Sequence, residues 1–212
     1  MQQLTPTATD PAPEARLAGR DDRDAVINNV AAAFASDPPW LFLLGEQYEQ
    51  LAPLFAGALF DQRVENGTVW VTRDGAAVAM WDRPHTRHDP SRAEQSWREF
   101  DTIATVPTRS RLASYNDAIR RASPQQPFWY LGVLATHPIH QRQGLAGAVL
   151  TPALRQAGAH RLACCLETST EANRRFYERR GFQVDQEITL ARGPQTWWMR
   201  RPADAGRAHP PR

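Results

Sequence analysis

The stretch from Phe128 to Gly147 constrains this chain more than any other. An apolar run, Phe128-Trp129-Tyr130-Leu131-Gly132-Val133-Leu134-Ala135-Thr136, ends at His137-Pro138. A run of this kind, closed by a turn signal, reads as a buried strand. A tight turn follows, then a glycine-bearing helix start, Gln141-Arg142-Gln143-Gly144-Leu145-Ala146-Gly147. Such a turn aims several backbone N–H groups at one point, where the helix N-terminus adds positive potential. That combination suits a phosphate or pyrophosphate. The small residues Gly144, Ala146 and Gly147 let a ligand come close to the backbone. No Gly-Lys-Ser/Thr follows, so the spacing is not that of a nucleotide P-loop.

Composition narrows the setting. The 212 residues suit a single domain, and an apolar content of 42% is enough for a core. Net charge is +2, too small for a nucleic-acid or membrane field. All 25 basic residues are Arg, and the chain contains no lysine. Cys164 and Cys165 are adjacent within an apolar run, where a mutual disulfide is strained and burial as free thiols is the simpler reading. Two thiols point to a reducing compartment. Met1 to Pro13 lacks the basic and apolar parts of a signal peptide, and no apolar run approaches the roughly 20 residues of a membrane span. A soluble, cytoplasmic protein is expected.

Residues 1–13 and 202–212, rich in Pro and Ala, read as disordered tails around one domain over 14–201. Within it the pattern predicts a strand at Ala15 to Ala18 and a helix from Asp21 or Asp22 to about Ala35, stopped by Asp37-Pro38-Pro39. A helix over Glu46 to Glu65 follows, with Pro53 as a possible break. Thr68–Thr72 and Ala76–Trp81 form a hairpin around Asp74-Gly75. Helices over Ser91–Ala104 and Arg109–Ala122 precede the strand Phe128–Thr136. A helix over 144–157, a strand Leu162–Glu167 and a helix Thr170–Arg180 come next, with Gly181 at the left-handed position after the helix. Strands near Phe182–Leu190 and Gln195–Arg200 close the chain. The order suggests a twisted mixed sheet with helices on both faces.

Gln141-x-x-Gly144-x-Ala146, with a strand before it and a helix after it, resembles the acetyl-CoA pyrophosphate loop of the GCN5-related N-acetyltransferases (GNATs). Leu166-Glu167-Thr168-Ser169 and Asn173-x-x-Phe176-Tyr177-Glu178-x-x-Gly181-Phe182 resemble the late strand and following helix of that family. Ala31-Ala32-Ala33-Phe34-Ala35, Asp74-Gly75-Ala76-Ala77-Val78-Ala79 and Gly193-Pro194-x-Thr196-Trp197-x-Met199 are similar to antibiotic-acetylating members. The likeness runs from about residue 17 to 201, dense after 128 and thin over 83–127. Arg142 departs from the pattern, standing where relatives often carry glycine. The resemblance implies a mostly antiparallel mixed sheet of six to seven strands.

It also implies acetyl-CoA as co-substrate. Leu134, Ala135 and Thr136 would meet the pantetheine where their strand splays from its neighbour. Gln141, Arg142, Gln143, Gly144, Leu145, Ala146 and Gly147 would hold the pyrophosphate. Asn173 and Tyr177, four apart on one helix face, would meet the pantetheine amide and the sulfur. A thiol of pKa ~8.5 is a poor naked leaving group, and a tyrosine hydroxyl of pKa ~10 can donate to it. Glu167, at a strand end, is either a base or binder for the amine or a structural salt-bridge partner. Trp40 and the region 83–127 would shape the acceptor pocket. The acceptor expected is a small-molecule amine of the aminonucleoside type. A peptide N-terminus, a polyamine or another natural product is the alternative, and a non-catalytic acyl-CoA sensor is a third reading. Direct transfer is expected, because both cysteines lie mid-strand. His85 and His88, three apart beside Asp89, could suggest a metal, but the stretch is polar and loop-like and places no third ligand, so no metal is expected.

Overall fold

In the computed structural model, which describes residues 14–72, 74–84, 90–190 and 192–203, the strands form one seven-stranded sheet in the order β1-β2-β3-β4-β5-β7-β6. The strands are β1 (Ala15–Leu17), β2 (Val69–Thr72), β3 (Ala77–Asp82), β4 (Phe128–Thr136), β5 (Ala163–Thr168), β6 (Gln183–Ile188) and β7 (Thr196–Arg201). All neighbours are antiparallel except β4 and β5. The mixed, mostly antiparallel sheet agrees with the expectation. Residues 1–13 and 204–212, and the candidate metal pair His85 and His88 with Asp89, lie outside the described residues.

Both faces are covered. Helices α1 (Arg23–Ala33), α2 (Pro38–Leu44), α3 (Tyr48–Asp61), α4 (Pro90–Ile103) and α5 (Val106–Ala122) pack on one face with Val69, Val71, Val78, Met80 and Trp198. Helices α6 (Leu145–Ala159) and α7 (Glu171–Glu178) pack on the other with Trp70, Ala77, Ala79, Trp81 and Met199. The period of two sends neighbours to opposite cores. Cys164 and Cys165 show this: both are buried and free, one in each core. Burial pushes both thiols up to about 12, so they are inert at neutral pH.

Two elements differ from the sequence reading. Asp37-Pro38-Pro39 starts a helix rather than only ending one. The Asp37 carboxylate caps α2 by accepting from the Trp40 N–H at 3.1 Å, and the prolines occupy positions whose N–H groups need no partner. Trp40 therefore sits on a helix. Pro53 does not split α3, because the buried Leu51, Ala52, Phe55 and Ala56 hold its two sides in one core and outweigh one lost backbone bond.

β4 positions the site. Its register against β3 slips so that Met80 faces Val133 and Trp81 faces Leu131, leaving Gly132 as an extra residue. Such a bulge reverses the side-chain alternation. Before it, Trp129 and Leu131 point to the α6–α7 core; after it, Val133 and Ala135 point to the α1–α5 core. β4 pairs with β5 only as far as Leu131 with Leu166. Beyond that point the strands part, while β5 stays paired with β7 up to Thr168.

Candidate active site

Two clefts meet at the fork between β4 and β5. The larger of the two, about 530 Å³, is lined by Leu134 and Thr136 of β4, by Gln141, Arg142, Gly144, Leu145, Ala146 and Gly147, and by Asn173, Phe176, Tyr177, Arg179 and Arg180. The smaller cleft, about 180 Å³, is lined by Phe34, Trp40, Phe55, Arg63, Tyr115, Tyr130, Gly132 and Glu167, among others. Phe34, Asp37, Leu134, Asn173 and Tyr177 line both, so they mark the passage from one to the other.

The loop before α6 has the geometry that suits an anion. Gly144 caps the helix at φ 82° without any side-chain hydrogen bond to the first turn, which leaves the first N–H groups of α6 for a ligand. Arg142 takes φ 62°, a left-handed conformation that glycine adopts freely and arginine does not. The turn therefore keeps the shape a glycine would give it, with a guanidinium added. The Thr136 hydroxyl is buried without a partner at the same cleft. A phosphorylated, amide-bearing ligand fits these donors and this orphaned hydroxyl. Gln143 is exposed and does not line the cleft. Ala135 turns its side chain into the core, so only its backbone remains on the side of the larger cleft.

Helix α7 brings Asn173 and Tyr177 to the passage. Thr170 caps it by accepting from the Asn173 N–H at 3.2 Å. Its C-terminal turn closes with Gly181 at φ 83°, the Phe182 N–H bonding the Tyr177 carbonyl at 3.2 Å and the Gly181 N–H the Glu178 carbonyl at 3.0 Å. The Tyr177 and Phe182 rings pack 5.7 Å apart. Tyr177 is 7% exposed, and desolvation raises its hydroxyl above the ordinary range, so it stays a proton donor. Among the described residues no hydrogen bond reaches that hydroxyl.

Glu167 is the centre of the smaller cleft. Tyr130 donates to both carboxylate oxygens at 2.8 Å, and Tyr115 donates to Oε1 at 3.3 Å. The residue opens partly to the cleft while its carboxyl group lies deep. Desolvation raises its pKa to about 7 against the lowering effect of the two tyrosines. No cation salt-bridges it among the described residues, so it is not a structural ion-pair partner there. The same cleft contains the buried Arg63, whose guanidinium bonds Asp82 at 2.6 Å and the Leu59 carbonyl at 3.0 Å. A Cβ on Gly132 would stand 3.2 Å from Arg63 Nη2, so the bulge residue is small for this approach. Trp40 forms the aromatic wall with Phe34, stacked at 4.6 Å, and Phe55, edge-on at 5.0 Å. Trp97 packs behind this wall, and Trp129 lies in the other core.

Asp37, Tyr115, Tyr130 and Arg63 escaped the sequence reading. Asp-Pro-Pro carried a usable signal, an acidic cap before two helix-starting prolines. Tyr115, Ala118 and Ala122 mark the buried face of α5 by helical spacing, but nothing in that spacing points to Glu167. Among the described residues no three His, Cys, Asp or Glu side chains converge as a metal site.

The forked sheet therefore has a loop with free helix-start N–H groups on one side and an acid-lined aromatic cleft on the other. Comparison with known proteins finds the same fold among acetyltransferases. Residues 111–184 match the family model described as an acetyltransferase (GNAT) domain. A histone acetyltransferase HPA2 and related acetyltransferase from Corynebacterium glutamicum is similar at 25% identity and TM-score 0.65, covering 91% of this chain and 97% of that one. Arylalkylamine N-acetyltransferase 2 from Aedes aegypti shares the fold at 13% identity and TM-score 0.62, over 90% of this chain and 98% of that one. An N-acetyltransferase from Staphylococcus aureus Mu50 does so at 14% identity and TM-score 0.57, over 88% and 98%. Over residues 111–184 the chain is thus similar to a GNAT acetyltransferase domain, and these comparisons support an acyltransferase.

Proposed function

We propose that the protein transfers an acetyl group from acetyl-CoA to the primary amine of a small molecule, by direct attack in a ternary complex formed by one catalytic unit over 14–201. The observation that carries this reading is the meeting of the two clefts at Tyr177 and Asn173. The donor cleft would take acetyl-CoA, with its pyrophosphate on the loop Gln141 to Gly147 and its pantetheine along Leu134 to Thr136 and Asn173. Tyr177 donates to the departing thiolate, and Glu167 holds the acceptor. The aromatic wall of the acceptor cleft favours an aryl-bearing amine. An aminonucleoside antibiotic such as puromycin has both the aryl group and an α-amine. The enzyme would act in the cytoplasm, where its two free thiols stay reduced.

Thiol release from acetyl-CoA is the test, run with puromycin, aminoglycosides, polyamines and short peptides. Selective turnover of puromycin is the expected result. Tyr177→Phe should lower kcat by about 10²-fold and leave acetyl-CoA affinity unchanged. Turnover of another amine would move the acceptor and keep the reaction. Acetyl-CoA binding without release to any amine would favour a sensor.

A further inference from the structure

We propose that Asp37, at the passage between the two clefts, is the group that takes the proton from the acceptor amine; this role rests on the acetyl-transfer reading above. The amine must meet the thioester where the clefts join. Asp37 lines both clefts, whereas Glu167 lines only the acceptor side. Glu167 also spends its carboxylate on the Tyr130 and Tyr115 hydroxyls. Asp37 uses one oxygen to cap α2 at the Trp40 N–H, and among the described residues no hydrogen bond occupies the other. The cap fixes the carboxylate in place, which a general base needs. Glu167 becomes the positioning group and Asp37 the catalytic one.

The surroundings agree with the task. Burial raises Asp37 to about 6, so it is ionised at neutral pH yet far more basic than an exposed aspartate. The titratable groups that face it are acids: Tyr48 from α3, Tyr115 from α5, Glu167 from β5 and Tyr177 from α7. The nearby guanidiniums are engaged elsewhere, Arg63 by Asp82 and Arg111 by the Leu43 carbonyl and Thr108. In the step, the ammonium gives one proton to Asp37 and its lone pair attacks the acetyl carbonyl carbon. A C–N bond forms and the C–S bond breaks. The second nitrogen proton reaches the thiolate through Tyr177, which takes one proton as it gives one. The products are the acetamide, the CoA thiol and protonated Asp37, which returns its proton to water.

The experiment is the pH dependence of kcat/KM for wild type, Asp37→Asn and Asp37→Ser. Asn and Ser keep the helix cap without the carboxylate, and acetyl-CoA binding with thermal melting confirms that the fold is intact. Without a base only the neutral amine reacts. An α-amine of pKa ~8 is roughly a tenth neutral at pH 7, so the variants should lose about tenfold there and recover to within about twofold by pH 9. An alkylamine acceptor of pKa ~10.4 should show a loss of about 10³-fold at pH 7. A loss independent of pH and acceptor pKa, or no loss, would overturn the role. So would the same pH signature in Glu167→Gln but not in the Asp37 variants. Wild type that binds acetyl-CoA and acetylates no amine would instead remove the proposed function itself.

Discussion

At the scale of single residues, strain and desolvation mark the candidate positions. Glu167 holds its proton more tightly when folded, about 7 against an ordinary 4.5. A group raised in this way favours folding fully below pH 4.5, and that contribution is lost as pH rises through about 7. Glu167→Gln should therefore gain stability relative to wild type as pH rises, by on the order of 3 kcal/mol at pH 9, with little difference at pH 4. Denaturant melts at both pH values measure it, and a gap that does not widen with pH would show that the carboxyl is not desolvated. Arg142 makes a second case. Its left-handed φ of 62° costs an arginine about 1–2 kcal/mol, and glycine removes that cost while adding about 0.5–1 kcal/mol of unfolded-state entropy. Arg142→Gly should be slightly more stable and yet bind acetyl-CoA about tenfold more weakly, the loss of one charge-assisted contact. Calorimetric titration decides it, and unchanged affinity would place the guanidinium away from the phosphates.

At the scale of elements, β4 and α7 do the positioning. The extra residue at Gly132 swaps the faces of β4, so that the same strand packs its first half on one core and its second half on the other. Its pairing with β5 stops one step before the bulge, and the fork opens there. Helix α7 is held by its ends, with Thr170 at the start and the Gly181 turn at the finish. Since the Phe182 N–H bonds the carbonyl of Tyr177 itself, the turn fixes the residue proposed to donate to the thiolate. Gly181→Ala puts a Cβ on a residue at φ 83° and should cost about 1–2 kcal/mol, read as a melting temperature lower by about 2–8 °C. An unchanged melting temperature would mean that α7 does not depend on this cap.

At the scale of the whole molecule, one sheet separates two cores and the site lies where the sheet opens. Helices from both sides reach it: Asp37, Trp40 and Tyr115 come from the α1–α5 side, Asn173 and Tyr177 from α7. Ligand binding at the fork should therefore stabilise the fold as a unit. Acetyl-CoA at a hundred times its Kd should add about 2.7 kcal/mol and raise the melting temperature by about 5–10 °C. Differential scanning fluorimetry reads this directly, and no shift at saturating acetyl-CoA would rule out the donor cleft as its site.

The local chain alone determined the strand, turn and glycine-bearing helix start over 128–147, the shared face of Asn173 and Tyr177, and the left-handed Gly181. These depend on a handful of consecutive residues, where backbone sterics and helical spacing act without help from the rest of the fold. The smaller cleft, proposed as the acceptor site, was decided by tertiary structure. Asp37, Arg63, Tyr115, Tyr130 and Glu167 come from separate elements, and their spacing in sequence carries no record of their meeting. Asp37-Pro38-Pro39 shows the limit most clearly. Its local chemistry supports both the end of one helix and the start of another, and only the packing of Trp40 against Phe34 and Phe55 selects the second. Long-range burial chose between local conformations of similar energy, and the same burial gave the Asp37 and Glu167 carboxyls their raised pKa values.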